Sequence, residues 1–346
     1  MGAVLWATLI VGCIVAGACG RIGFDPLGGS GNPDGDGGAP GDGRPMLSCV
    51  GLGSTCGASG TSPCCESPVV PGGTFFRSYD VGTDARYTNM TNPATVSDFR
   101  FDTYEVTVRR FRQFVNAGMG TQQQPPSADA GARRLNGMAN QGGWDPTWNA
   151  NLTTDTTALV NAVKCSPDYQ SWTNLPGANE DLPMNCLTWF EAFAFCVWDG
   201  GFLPTEAEWN YAAAGGDEQR AYPWSSPPSS LAIDCSYANY FIDMPAGMHC
   251  VGGGLGAMNR VGSESPKGDG KYGQADLAGN AWEWTLDWYQ ATYPNPCDDC
   301  VVLAPGSDRV FRGGNFFFDA ISLRGAFRFR GLSRSFDLGV RCARTP

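Results

Sequence analysis

Glycine and proline interrupt this sequence too often for it to fold as a bundle of long helices. Its 346 residues include 47 glycines and 24 prolines, and each of these either frees the backbone or removes an amide donor. A loop-rich chain of mixed α+β class, with short regular elements, is expected. The material for a core is present all the same. Hydrophobic residues make up 42% of the chain, with 11 tryptophans and 19 phenylalanines, whose rings bury large areas. Against 34 acidic residues stand 23 basic ones, a net charge of −11. That balance argues against nucleic acid as a partner, because phosphate backbones are bound by clustered cations. A single histidine, His249, leaves no multi-histidine metal site and no spare imidazole base.

Residues 1–19 read as a signal peptide. Ala3–Ala18 is uncharged and mostly apolar, shorter than the roughly twenty residues of a membrane span and suited to a secretory signal. Ala16-Gly17-Ala18-Cys19 then resembles a bacterial lipobox, in which Cys19 is lipidated and becomes the mature N-terminus. Two features depart from that pattern: no Lys or Arg opens the segment, and Ala stands at position 16. Cys13 is a competing site. Residues 20–48 hold ten glycines, four prolines and four aspartates, a composition that cannot bury a core and reads as a flexible tether. The expectation is an extracytoplasmic, lipid-anchored protein at a bacterial outer membrane, on its periplasmic side or at the cell surface. The membrane is one partner through the anchor, and the other is a protein or glycan ligand.

Twelve cysteines follow the signal segment, an even number that favours disulfides in an oxidising compartment. Cys49, Cys56, Cys64 and Cys65 crowd into a small Cys-rich segment, residues 49–67, poor in apolar residues. Crosslinks are expected to hold it rather than zinc, since paired C-x₂-C knuckles are missing. Cys297-Asp298-Asp299-Cys300 has the spacing of a redox motif, but without a surrounding βαβ pattern it reads as a structural loop disulfide.

From residue 68 to 346 the composition is even and suggests one large domain. Three helices have mechanistic starts. Thr107 precedes Val108, Phe111, Phe114 and Val115 on one face, with Gly118 beyond. Thr188 with Glu191, and Thr205 with Glu208, have capping-box spacing. Short strands are expected at Gly72–Phe76, Arg309–Arg312 and Gly339–Cys342.

Ordered motifs then narrow the field. Val70-Pro71-Gly72-Gly73-Thr74-Phe75 opens the domain, followed by Tyr104-Glu105-Val106-Thr107 and Phe195-Cys196-Val197-Trp198. Leu203-Pro204-Thr205-Glu206-Ala207-Glu208-Trp209 and Tyr222-Pro223-Trp224 come next, then Asp276-Leu277-Ala278-Gly279-Asn280-Ala281-Trp282-Glu283-Trp284. Arg312-Gly313-Gly314 and Gly339-Val340-Arg341-Cys342 complete the series. In this order they resemble the formylglycine-generating enzyme, or sulfatase-modifying factor, family. The resemblance implies an α+β fold related to C-type lectins, loop-rich with few long regular elements.

It also implies a chemistry to test. Family members that make formylglycine oxidise a substrate cysteine with O₂, using copper(I) held by two cysteines shortly after the Arg-Gly-Gly block; a soft ion prefers soft sulfur. No cysteine lies between Cys300 and Cys342 here, and Phe316, Phe317 and Phe318 occupy part of that interval. Copper is therefore not expected. The resemblance implies a disulfide between Cys196 and Cys342, and it places Ala213 and Gly325 where a second one would lie. It implies calcium at Asp276, Gly279, Ala281 and Glu283, carboxylates flanking main-chain oxygens, a donor set suited to a hard cation. A second calcium site would use Asn239 and Tyr240, but its distal acidic position falls near Gly253. Arg312, Arg324, Arg328, Arg330, Arg334 and Arg341 are expected to pair with carboxylates and stack on rings rather than face an anionic ligand. Three successive phenylalanines cannot all face inward on a strand, so at least one should approach the surface. The resulting expectation is a binding or structural module without the copper-thiolate centre. The alternatives are a formylglycine-generating oxidase with another metal arrangement, or a different enzyme on the same scaffold.

Overall fold

The computed structural model describes residues 46–81, 89–242, 247–252 and 257–346. The signal peptide, Cys13, Cys19 and the tether up to residue 45 lie outside the described residues, as does Gly253. Among the described residues no helix is long and apolar enough to cross a membrane.

Helices form where their caps place them. α1, Val108–Asn116, starts at Thr107, whose hydroxyl accepts from the Arg110 amide. α2, Thr156–Ala162, is capped by Asp155 and was not among the expected helices. α3, Trp189–Trp198, and α4, Glu206–Ala213, each begin with a complete capping box. In α4 the Glu208 amide donates to Thr205 Oγ1 at 3.1 Å and the Thr205 amide to Glu208 Oε2 at 2.7 Å. Both reciprocal bonds satisfy donors that the first turn leaves open.

The sheets are small. A four-stranded sheet runs Phe329–Gly331, Arg309–Arg312, Trp282–Trp288, Leu338–Gly339, with its last pair parallel. A three-stranded antiparallel sheet joins Val69–Val70, Phe99–Phe101 and Ala343–Arg344. The expected closing strand at Gly339–Cys342 is thus split. The chain leaves one sheet at Gly339 and enters the other at Ala343, and Arg341 and Cys342 span the gap. Three two-stranded ribbons complete the fold. The result is the loop-rich α+β architecture anticipated from the glycine and proline content.

Trp282–Trp288 is the pivotal strand, and the motif reading did not mark it as one. Alternation sends Trp282, Trp284 and Leu286 to one face and Glu283, Thr285 and Asp287 to the other, yet all six are buried. The aromatic face enters the main core with α1 and α3. The polar face meets buried partners: Trp209 of α4 donates to Glu283 at 2.6 Å, and the Glu206 amide donates to Asp287 at 2.7 Å. Burial, reinforced by the charge of Glu206, pushes Asp287 up to about 7.

The core is laced with ion pairs. Arg110 and Arg344, both fully buried, share Asp102 and Asp199 at distances from 2.6 to 3.1 Å. The expected arginine pairing also holds near the C-terminus: Arg312 and Arg328 meet Glu206, Arg324 meets Asp80, Arg334 meets Glu191 and Arg341 meets Glu283. Arg330 lies over the Tyr289 ring.

All twelve cysteines of the described residues are paired. The Cys-rich segment contains Cys49–Cys65 and Cys56–Cys64; the remaining bonds are Cys165–Cys186, Cys196–Cys342, Cys235–Cys250 and Cys297–Cys300. The Cys-rich segment does not stand apart from the domain. It packs on Tyr104, Val261 and Ala275, and the Ser48 amide just before it donates to Asp199 at 2.7 Å. Cys196–Cys342 ties α3 to the closing segment across 146 residues, a closure that stabilises by on the order of 5 kcal/mol in the chain-entropy picture.

Thr205 is 1% exposed, so water cannot replace its cap. Thr205→Ala is expected to lower the unfolding free energy by about 1–2 kcal/mol in chemical denaturation, with an unchanged denaturant slope. A loss below about 0.5 kcal/mol would remove the capping box as the device that starts α4.

Candidate functional site

Two groups of residues fall at the positions the motifs single out, one in the turn after Arg309–Arg312 and the other in the turn before Trp282–Trp288. The first follows the Arg-Gly-Gly block. Gly313 and Gly314 have φ of +104° and +74°, and a Cβ on Gly314 would stand 2.6 Å from Leu323. Only glycine fits this sharp turn beneath Leu323. The turn delivers Asn315, whose amide donates to Asp337 at 2.6 Å and whose carbonyl accepts from the Phe317 amide at 2.7 Å.

The three phenylalanines then diverge. Phe316 is fully buried, with its ring 5.8 Å from Tyr169 and 6.2 Å from Phe336. Phe317 is 43% exposed and lies against His249, Tyr169 and Phe336. Phe318 packs edge-on to Trp282 at 5.8 Å and near Phe329, another ring 43% exposed. Tyr169 stacks on Phe336 at 4.7 Å, and Phe329 stacks on Trp282 at 5.9 Å. The outcome is an aromatic face in which Phe317 and Phe329 reach solvent. His249 is held by Nδ1 against the Phe316 carbonyl at 2.9 Å, a contact that fixes the ring.

Among the described residues no cysteine is free beside Asn315. Cys297 and Cys300 are bonded to each other in the core around Phe75 and Tyr211, and Cys250, next to His249, is bonded to Cys235. The positions expected for a second disulfide do come together: a Cβ on Gly325 would lie 3.7 Å from that of Ala213. Packing of small residues fills that contact. One further grouping unites Cys56, Cys64 and Asp181 within metal-binding range. Its sulfurs are bonded to each other at 2.00 Å and offer no thiolate, and Thr55 donates to Asp181 at 2.7 Å.

The second group is acidic and buried, and sequence reasoning found only part of it. The turn from Asp276 to Asn280 carries positive φ at Asp276, Gly279 and Asn280, a cluster of costly conformations that the surroundings must hold. Asp276 accepts from the Gly262 amide at 2.5 Å and interacts with both Glu105 and Glu264. Burial pushes Asp276 up to about 6 and Glu264 up to about 7, the latter helped by the Asp276 charge. Glu105 is raised well above the carboxylate range by burial and then by Asp276. Glu105 Oε2 and Glu264 Oε2 are buried without a hydrogen-bond partner.

Glu283, expected in the same ligand set, faces elsewhere. Arg341 donates to both its oxygens at 2.7 to 3.2 Å and Trp209 to Oε2 at 2.6 Å. Gly279 and Ala281 remain on the turn that carries Asp276. Asn239 is nearby, donating to Asn280 Oδ1 at 3.3 Å, with its own Oδ1 buried and unpartnered; Tyr240 is buried in the neighbouring cluster with Tyr222. Glu105 lies in the Tyr-Glu-Val-Thr motif, and its uncompensated glutamate at a buried position was the available signal. Glu264 had no such marker, since it comes from a loop.

Comparisons with known proteins agree with this architecture. Residues 55–346 match the model of the sulfatase-modifying factor enzyme 1-like domain, a match that starts inside the Cys-rich segment. The formylglycine-generating enzyme of Thermomonospora curvata is 29% identical over 312 residues, covering 80% of this chain and 92% of that protein. The inactive C-alpha-formylglycine-generating enzyme 2 of Mus musculus is 27% identical over 297 residues, covering 79% of this chain and 84% of that protein. Among solved structures, PvdO from Pseudomonas aeruginosa covers 80% of this chain and 93% of its own, with a TM-score of 0.50 at 16% identity, a likeness of fold. With most of its length matched by the family model, this chain belongs to the sulfatase-modifying factor enzyme 1-like, or formylglycine-generating enzyme, family.

Proposed function

We propose that this protein is an extracytoplasmic lipoprotein whose family domain works as a binding module and not as a copper oxidase. One observation carries the reading: where the family resemblance calls for two thiolates, the chain presents Phe316, Phe317 and Phe318, and every described cysteine is committed to a disulfide. Aromatic carbon neither ligates copper(I) nor forms a mixed disulfide with a substrate thiol. An exposed group of rings is a surface suited to contact with a protein or glycan. A relative whose name declares it inactive shares the scaffold, so loss of activity on this fold has a parallel.

Calcium is the metal that the buried acidic group fits. Glu105, Asp276 and Glu283 gather round one guanidinium, Arg341, and Glu264 adds a further carboxyl beside Asp276. Glu264 Oε2 has no hydrogen-bond partner, and Glu105 Oε2 has none beyond the Arg341 charge 4.0 Å away. Such a surplus of buried negative charge calls for a cation, and an all-oxygen set selects a hard one. Asp276, with the orphaned oxygens of Glu105 and Glu264, supplies the carboxylates. Gly279 and Ala281 supply main-chain oxygens, as the motif resemblance implies. Glu283 anchors Arg341 instead. When bound, the ion would lock the strained turn that leads into Trp282, and through it the aromatic face: the Phe316 amide donates to the Asn280 carbonyl at 3.1 Å.

Lipidation at Cys19, with the tether of residues 20–48, would hold the domain away from a membrane surface. Replacing Cys19 by alanine is expected to move the protein from the membrane fraction to the soluble fraction; unchanged partitioning would overturn the anchor. Incubating the protein with copper(I), O₂ and a sulfatase-motif peptide is expected to leave the peptide mass unchanged, whereas the mass loss of aldehyde formation would restore the oxidase. Calcium a hundredfold above its Kd should raise the melting temperature by about 5 °C over chelator-treated protein. Glu264→Gln should abolish most of that rise. Identical melting with calcium and with chelator would exclude the site.

A further inference from the structure

Cys297 and Cys300 form a disulfide with a sequence separation of 3, and the loop around them is held by other means. The Thr95 amide donates to the Cys297 carbonyl at 2.9 Å, and the Asp299 amide donates back to Thr95 at 2.9 Å. The Asp299 carboxylate accepts from the Ser97 amide and hydroxyl at 2.7 and 2.6 Å, and the Asn136 amide donates to the Asp299 carbonyl at 3.0 Å. A crosslink over so short a span removes little chain entropy. Cys196–Cys342, with its separation of 146, is a different kind of bond. The fold does not need Cys297–Cys300 as a staple.

What sets this bond apart is Arg77, 223 residues away in sequence. Its Nη1 donates to Cys300 Sγ at 3.2 Å, and its Nη2 donates to the Pro294 carbonyl and Asn295 Oδ1. Arg77 is 3% exposed, its Nε has no partner, and its guanidinium lies 4.5 Å over the Tyr293 ring. Among the described residues no carboxylate comes within ion-pair distance of it. The charged groups that surround it are already engaged. Glu206 is bound by Arg312 and Arg328, and Asp287 accepts from the amides of Glu206 and Val302. On the loop itself Asp298 is exposed and Asp299 is taken by Ser97. Among the described residues, the polar contacts of the other disulfide sulfurs are the hydroxyls of Ser48 and Thr55 and the Met46 thioether, none of them cationic.

A buried guanidinium lacking a counter-ion gains little from a neutral disulfide sulfur, which is a weak acceptor. It gains far more from a thiolate, through a charge-assisted bond in a dry site. Reduction of Cys297–Cys300 creates that anion at Cys300, beside the one cation placed to hold it. We propose that Cys297–Cys300 is a thiol–disulfide exchange site for cysteine pairs of another polypeptide, with Arg77 as the residue that holds the Cys300 thiolate. A substrate thiolate attacks Cys297 Sγ, the Cys297–Cys300 bond breaks, and Cys300 leaves as the thiolate bound to Arg77. The second substrate thiol, having lost its proton to solvent, attacks the mixed disulfide; Cys297 leaves as a thiolate and takes up a proton. The substrate pair is oxidised to a disulfide, and the protein's pair is reduced by the same two electrons. Because the reduced form is the stabilised one, this disulfide is reduced more readily than the other five of the described residues. The motif spacing alone supports a structural loop; the position of Arg77 supplies the chemistry.

Graded reduction of the full chain in glutathione buffers, with trapping of free thiols by alkylation and peptide mass spectrometry, tests this directly. Cys297–Cys300 is expected to open before any other pair, and the Cys300 thiol to titrate at least about one unit below the ordinary 8.5. The oxidised protein should also convert a reduced two-cysteine peptide to its disulfide, with Cys297 trapped in the mixed species. Arg77→Gln should slow that conversion about tenfold and return Cys300 to the ordinary range, while Arg77→Lys should keep most of both effects. Should Arg77→Gln fail to fold, the order of opening in the unaltered protein still decides. Opening no earlier than the other pairs, or an ordinary Cys300 titration, would overturn the proposal.

Discussion

Two arginines and two aspartates at the centre of the molecule decide how its parts are held. Arg110 comes from α1, Asp102 from the turn before it, Asp199 from the end of α3 and Arg344 from the last strand. Each is essentially inaccessible, so the ions cannot be satisfied by water if one partner leaves. A buried pair is weak evidence of net stability against an apolar substitute, but breaking one is severely destabilising. The arrangement therefore acts as a register device. Three stretches distant in sequence must arrive together, and the Ser48 amide and hydroxyl draw in the start of the Cys-rich segment as a fourth. The Cys196–Cys342 bond lies on the same two elements, α3 and the closing segment, and fixes covalently what the ions fix electrostatically.

That constraint explains the geometry of the site. With Arg344 pinned in one sheet and Leu338–Gly339 in the other, Arg341 has a single place to go, between Glu283 and the carbonyls of Asp102, Thr103 and Ala275. Arg341 then fills the polar side of the Trp282–Trp288 strand and takes Glu283 out of contention as a metal ligand. Glu105, 4.0 Å from the same guanidinium, and Asp276 and Glu264 beside it remain less fully compensated. The cluster of buried carboxyls beside this ion pair is a consequence of the scaffold, and desolvation raises all three of them.

Features governed by local chemistry could be read from the sequence. The caps at Thr107, Thr188 and Thr205, the strand at Arg309–Arg312 and the even count of cysteines all follow from rules spanning a few residues. The pairing of the late arginines was legible as a general habit of guanidinium groups, though not which carboxylate each would meet. Hidden features depend on contacts between distant segments. Trp282–Trp288 carries the period-two alternation of a strand, Trp-Glu-Trp-Thr-Leu-Asp-Trp, yet it was read only as a motif; what the pattern does not reveal is that the polar face is buried as well. Glu264 and Arg77 carry no periodic signal, and their roles exist only because loops bring them to Asp276 and Cys300.

The chemistry of sulfur in this fold has been redistributed. Formylglycine-generating relatives, by resemblance, keep a reactive cysteine pair after the Arg-Gly-Gly block, where a soft metal can be held. Here Phe316, Phe317 and Phe318 follow that block in a cluster of rings, and the described residues hold six disulfides elsewhere. In five of them no cationic side chain among the described residues donates to a sulfur. The sixth stands against an unpaired guanidinium, and a cation of that kind has no structural use for a neutral sulfur. On the proposed reading, the sulfur set apart electrostatically is Cys300, beside Arg77, on a loop whose Asp299 is also held by hydrogen bonds from Ser97.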